Sequence, residues 1–123
     1  QSTYSPKHGQ ASTHRSANDH QDLYFHPDFN APLASHFSDY RYAHPYYYGR
    51  YKQMVLAYFF DASEIIRFSQ SPTGGGSGNP AWDFQFMIPN FISDRAYFFK
   101  ARLVYKPFKD AQDIDAEYLH WKN

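Results

Sequence analysis

Cysteine is absent from these 123 residues, which excludes disulfides, zinc–thiolate centres and thiol nucleophiles from the segment. Neither sign of charge is in excess, because twelve Lys and Arg balance twelve Asp and Glu. A duplex-binding domain carries a basic surplus that displaces phosphate counterions, so no nucleic-acid partner is expected. Long apolar runs are also missing. The longest, MVLAYFF, is strand-length and far short of the ~20 residues of a membrane helix, so no membrane span is expected. Glycine is sparse, and four of the six glycines sit in one segment, SPTGGGSGNP. A phosphate-binding reading of TGGGSG fails, since such a loop needs a Lys-Ser/Thr pair opening a helix. Here Asn79, Pro80 and a strand pattern follow.

What the chain has in abundance is aromatic side chains. Phe, Tyr and Trp make up 21%, with twelve Phe and twelve Tyr, and these residues fit pleated surfaces better than helices. The length suits one ordinary domain with a real core. A chain of zero net charge also lacks the repulsion that discourages self-association. Another protein chain or a homo-oligomer is therefore the expected partner, covering some of the aromatics.

Residues 1–22 read as a polar, His-rich N-terminal arm whose only apolar positions are Tyr4, Ala11 and Ala17. Such a segment buries too little to offset its ordering entropy unless it lies on something else. Residues 23–123 read as a single β-rich domain. HFSDYRYA alternates until Pro45 breaks the run, and YYYGRYKQMVLAYFF, Tyr46 to Phe60, reads as one long strand in which Gly49 marks a bulge. DASE, Asp61 to Glu64, reads as a tight turn joining that strand to an antiparallel neighbour, IIRFS. AWDFQFMI and AYFFKARLVYK alternate cleanly.

The C-terminal end differs. Ala111, Ile114, Tyr118 and Trp121 recur at helical spacing behind Asp110, a natural N-cap. This predicts a helix over about 110–121, its acidic side facing Lys100, Arg102 and Lys106. The fold class expected is mainly β: an antiparallel β-sandwich or jelly-roll-like unit with one C-terminal α-helix.

Four histidines fall at every sixth position: His8, His14, His20 and His26. On a strand that spacing separates neighbours by about 20 Å, too far for one ion, and no compact ligand motif occurs. A divalent metal is still an alternative if folding gathers His20, His26, His36 and His44; otherwise no cofactor is expected. For catalysis, His36 and His44 are candidate bases and Asp83 the candidate acid. The surplus Tyr and Trp suit stacking on sugar rings as well as protein interfaces. Tyr46, Tyr48, Arg50, Trp82 and Asp83 form the candidate ligand-binding set, with the Gly74 to Gly78 loop at its rim.

The stretches YYYGRYKQMVLAYFFD, IRFSQSPTGGG, NPAWDFQFMIPN and ARLVYKPF resemble the C-terminal part of uncharacterised bacterial β-sandwich-like proteins. The resemblance covers roughly the last 80 residues and carries no activity or site residues with it. It implies that the chain is the tail half, or a subunit-sized remnant, of a larger sandwich. Opening on Gln1 rather than Met, the chain reads equally as a processed or as a trimmed product, and an exported, periplasmic or extracellular location is slightly favoured. The leading expectation is a non-catalytic carbohydrate-binding or accessory β-domain acting in an oligomer or larger complex. The alternatives are a His/Asp hydrolase or lyase, metal-assisted or not, and a structural interaction subunit.

Overall fold

A computed structural model describes residues 13–23, 28, 36–71 and 81–123. His8, His26 and the Gly74 to Gly78 loop lie outside the described residues. The architecture is mainly β with one C-terminal helix, as the alternation predicts. The strands form two sheets, and the chain divides into two compact units. One holds His44–Ser63 with Asp94–Asn123; the other holds the described residues of Gln1–Ala43 and Glu64–Ser93.

The first unit carries β3 (Tyr46–Tyr51), β4 (Met54–Ala62), β7 (Phe99–Pro107) and the helix α1 (Ala111–Lys122). The three strands are antiparallel in the order β3-β4-β7. The single long strand expected over Tyr46 to Phe60 is two strands. The chain reverses at Lys52 and Gln53, a two-residue connection between the paired residues Tyr51 and Met54. Lys52 takes φ 53°, the left-handed region that short hairpin loops require and that Gly or Asn adopts more readily. Neither residue type stands there, so the turn is silent in the sequence. Gly49 pairs regularly with Leu56 and makes no bulge.

The reversal also changes which side chains share a face. Paired residues of an antiparallel ladder point the same way. Tyr46, Tyr48 and Arg50 therefore stand beside Phe59, Ala57 and Val55, and these beside Arg102, Val104 and Lys106. This is the face that α1 covers. Val55, Ala57, Phe59 and Val104 are buried against Ile114 and Tyr118 of the helix, with Tyr46, Tyr48, Phe108 and Trp121 half-buried around them. The helix starts where the sequence predicts. The Asp113 N–H donates to Asp110 Oδ1 at 2.7 Å, filling one of the orphan donors of the first turn. Its acidic side meets two of the three expected cations: Arg102 pairs with Glu117 at 2.9 Å, and Lys106 with Asp113 at 2.6 Å and with Glu117. Although burial alone would lower it, these hydrogen bonds and charges push the Lys106 ammonium above its ordinary value.

The second unit carries β1 (Thr13–Ser16), β2 (Phe37–Tyr42), β5 (Ile65–Ser71) and β6 (Ala81–Met87), in the order β2-β1-β5-β6. The polar stretch read as an arm supplies an interior strand, β1, parallel to β2 and antiparallel to β5. The Asp61 to Glu64 segment is not a hairpin turn. Both edges of β4 are already taken by β3 and β7, so the chain passes from one sheet into the other.

Truncating the helix face of the first unit tests this packing. Ile114, only 1% exposed, should cost ~2–5 kcal/mol as Ile114→Ala in chemical denaturation. Loss of the cap in Asp110→Ala should cost about 1 kcal/mol, whereas Leu119→Ala, on the exposed side, should stay within about 0.5 kcal/mol of wild type.

Candidate functional site

The helix covers one face of the three-stranded sheet. On the opposite face lie Tyr47, Tyr51, Met54, Leu56, Tyr58 and Phe60, and from β7 Phe99, Ala101, Leu103 and Tyr105. None of these carries a formal charge. Towards β4 the face closes, with Phe60 buried and Leu56 and Tyr58 half-buried; towards β7 it opens. Leu103 is 59% exposed, Tyr105 68% and Phe99 47%. Among the described residues β7 is an edge strand, paired only with β4. A nine-residue edge strand with an apolar outer face leaves a row of backbone donors and acceptors open to pairing.

The candidate ligand set is divided between the two units. Tyr46 and Tyr48 are packed beneath α1: the ring of Tyr46 lies 5.5 Å from Tyr118, and that of Tyr48 stacks 6.4 Å from Phe108. Burial, then the charge and hydrogen bond of Asp115, push the Tyr46 hydroxyl up to about 12. Arg50 is exposed and rests its guanidinium 3.8 Å over Phe108. Trp82 and Asp83 are in the other unit on opposite faces of β6. Trp82 is half-buried; Asp83 is exposed and registered opposite Ser69.

His44 has an acid partner the sequence reading did not single out. Its Nδ1 lies 2.8 Å from Asp115 Oδ1, and its ring stacks on Tyr118. A carboxylate-oriented imidazole is half of a general-base pair, yet among the described residues no hydroxyl nucleophile is bonded to it. His20 is exposed, and His36 is half-buried with an Nδ1 that has no partner among the described residues. No three His, Asp or Glu side chains among the described residues gather as a metal site would require. No described helix is long and apolar enough to cross a membrane.

The most polar interior is a set of residues the sequence reading passed over. On one face of the four-stranded sheet, Thr13, Ser69 and Arg67 are fully buried. Thr13 Oγ1 and Ser69 Oγ are 2.8 Å apart, and Gln85 Nε2 donates to Ser69 Oγ at 2.7 Å. Arg67 grips the buried Asp19 in a two-point fork, Nε to Oδ2 at 2.7 Å and Nη2 to Oδ1 at 3.1 Å, and Nη2 also donates to the Gln21 carbonyl. Arg41 Nη1 donates to the carbonyls of Ser16 and Asp19. Burial by itself would raise the Asp19 carboxyl. The Arg67 hydrogen bonds, the Gln21 N–H, and the charges of Arg67 and Arg15 outweigh it and hold the group below the usual carboxylate range. The one sequence signal for this pair is an arginine among the apolar residues of IIRF.

No family model matches the chain, and no curated protein or solved structure is significantly similar to it.

Asp19 ties stability to pH. Its folded-state value lies below that of the unfolded chain, so its contribution is complete above the ordinary carboxylate range and is lost as pH falls through the lowered value. Acid titration of Asp19→Asn should lack that component. The variant should lose about 3–5 kcal/mol at neutral pH, because Arg67 keeps a buried charge without its counter-ion. Asp19→Leu combined with Arg67→Met should be more stable than Asp19→Asn alone, as followed by urea denaturation.

Proposed function

We propose that this chain is a non-catalytic accessory domain that works in an oligomer, docking a second copy along β7. One observation carries the reading: Ala101, Leu103 and Tyr105 stand exposed in a row on an edge strand. With Phe99 they present on the order of several hundred Å² of apolar surface, the size at which a patch signals a binding face. At about 25 cal/mol per Å², covering it is worth roughly 10 kcal/mol. Association costs an estimated 4–15 kcal/mol in lost freedom and ordering, so apolar burial alone brings two copies close to balance. Backbone pairing of one β7 with another supplies the surplus and the register, as in other cases of strand addition. The zero formal charge offers no long-range repulsion to oppose it.

A carbohydrate partner is the competing reading. Its support is the exposed Tyr51 and Tyr105, since Tyr46 and Tyr48 lie under the helix. Sedimentation velocity over a range of micromolar concentrations separates the two. The expected result is reversible dimerisation, abolished in Leu103→Lys and Tyr105→Lys, with circular dichroism unchanged. A wild-type chain that stays monomeric, or a dimer indifferent to both substitutions, would overturn the proposal. Glycan binding by a monomer, lost in Tyr105→Ala, would replace it with the carbohydrate reading.

A further inference from the structure

The polar face of the four-stranded sheet carries a row of three arginines. Arg41 is registered opposite Arg15 across β1 and β2. The β1–β5 register, carried one residue beyond His14 and Phe68, sets Arg15 opposite Arg67, and Arg67 faces Gln85 on β6. Arg15 and Arg67 lie against one ring, their Cζ atoms 3.8 Å and 5.0 Å from the centroid of Phe37. Among the described residues, Asp19 is the only carboxylate that bonds a side chain of this row. Burial first, then the neighbouring Arg41, lower the Arg15 guanidinium from its ordinary value; Arg67 adds to the effect, while Asp19 and Asp22 work against it.

The row also contains buried polar atoms that nothing among the described residues bonds. Arg67 is 0% exposed, yet its Nη1 has no partner among the described residues; neither has Arg15 Nε nor Gln85 Oε1. Turning the Gln85 amide would only exchange the free end, because Ser69 Oγ satisfies one end in either orientation. Each buried, unbonded polar group costs about 1–3 kcal/mol, more when it is charged. Three in one row, set between guanidinium groups, are the complement of a ligand rather than of a solvent-facing surface.

We infer that Arg15, Arg41, Arg67 and Gln85 form a receptor for a small hydroxylated acid. Its oxyanion takes the free N–H groups of Arg15 and Arg67, and a hydroxyl meets the free end of Gln85. Guanidinium forks suit carboxylate or phosphate oxygens in two-point contact, and Phe37 holds two of them in place. Arg67 Nη1 and Arg15 Nε are shut from water. Entry therefore requires the exposed Arg41 to swing aside. The buried Arg67, fixed by Asp19, stays in place as the floor. Asp83, exposed on the same face opposite Ser69, stands where further hydroxyls of a longer ligand would lie. The inference is independent of docking along β7.

Calorimetric titration of the whole chain with glucuronate, inorganic phosphate and glucose tests it. Glucuronate should bind and be displaced by phosphate, while glucose, lacking the oxyanion, should bind at least about tenfold more weakly. Arg15→Gln should lower glucuronate affinity by about tenfold or more with unchanged circular dichroism. Gln85→Leu should weaken glucuronate but leave phosphate unaltered. Equal binding of glucose and glucuronate would overturn the inference. So would no anion binding at all, or anion binding that survives both Arg15→Gln and Arg41→Gln.

Discussion

One helix can cover only one face of a sheet. That constraint organises the unit built on β3, β4 and β7. Alternate residues of β4 point to opposite sides, and both sets are apolar: Val55, Ala57 and Phe59 one way, Leu56, Tyr58 and Phe60 the other. The helix takes the first set, held in register by Lys106 and Arg102 against Asp113 and Glu117. Those cations and Val104 occupy the helix-facing positions of β7, so its remaining positions, Phe99, Ala101, Leu103 and Tyr105, must point away. The same ion pairs that seat the helix thus dictate the open apolar strip on the sheet's edge, and the case for a partner follows from how α1 is fastened.

The four-stranded sheet meets a different constraint. Its apolar side is conventional, with Tyr42, Phe68 and Phe84 in ring contact. Its other side buries Thr13, Ser69 and Arg67. A buried guanidinium is tolerated only with a counter-charge and filled hydrogen bonds, and Asp19 supplies both for two of its three nitrogens. The segment after β1 therefore acts as an ionic latch over the sheet. What the latch leaves unbonded is where a ligand gains most, since binding there satisfies groups that already carry their desolvation cost.

Local signals in the sequence carried much of the fold. Period-two alternation located β2, β6 and β7 to within a few residues, and Asp110 with Ile114 and Tyr118 located the helix. The hairpin at Lys52 was not legible, because neither turn residue has the chemistry that announces a reversal. That one omission hid the pairing that sets Tyr46 and Tyr48 beside Phe59 and Ala57. The strand Thr13–Ser16 was hidden for another reason: it is short, polar, and stabilised by β2 and β5, which lie far along the chain. The latch was beyond reach for the same reason, with Arg67 and Asp19 separated by 48 positions. His44 was legible as a titratable candidate, but its partner Asp115 emerges only when α1 docks.

The central claim is that the face opposite α1 is built to be covered by a second chain along β7. Hydrogen–deuterium exchange measured at low and high protein concentration probes it most directly, because edge-strand amides gain partners only on pairing. The account requires peptides spanning 99–107 to become markedly more protected as concentration rises, with peptides from α1 unchanged. Exchange in β7 that is fast and independent of concentration would contradict it.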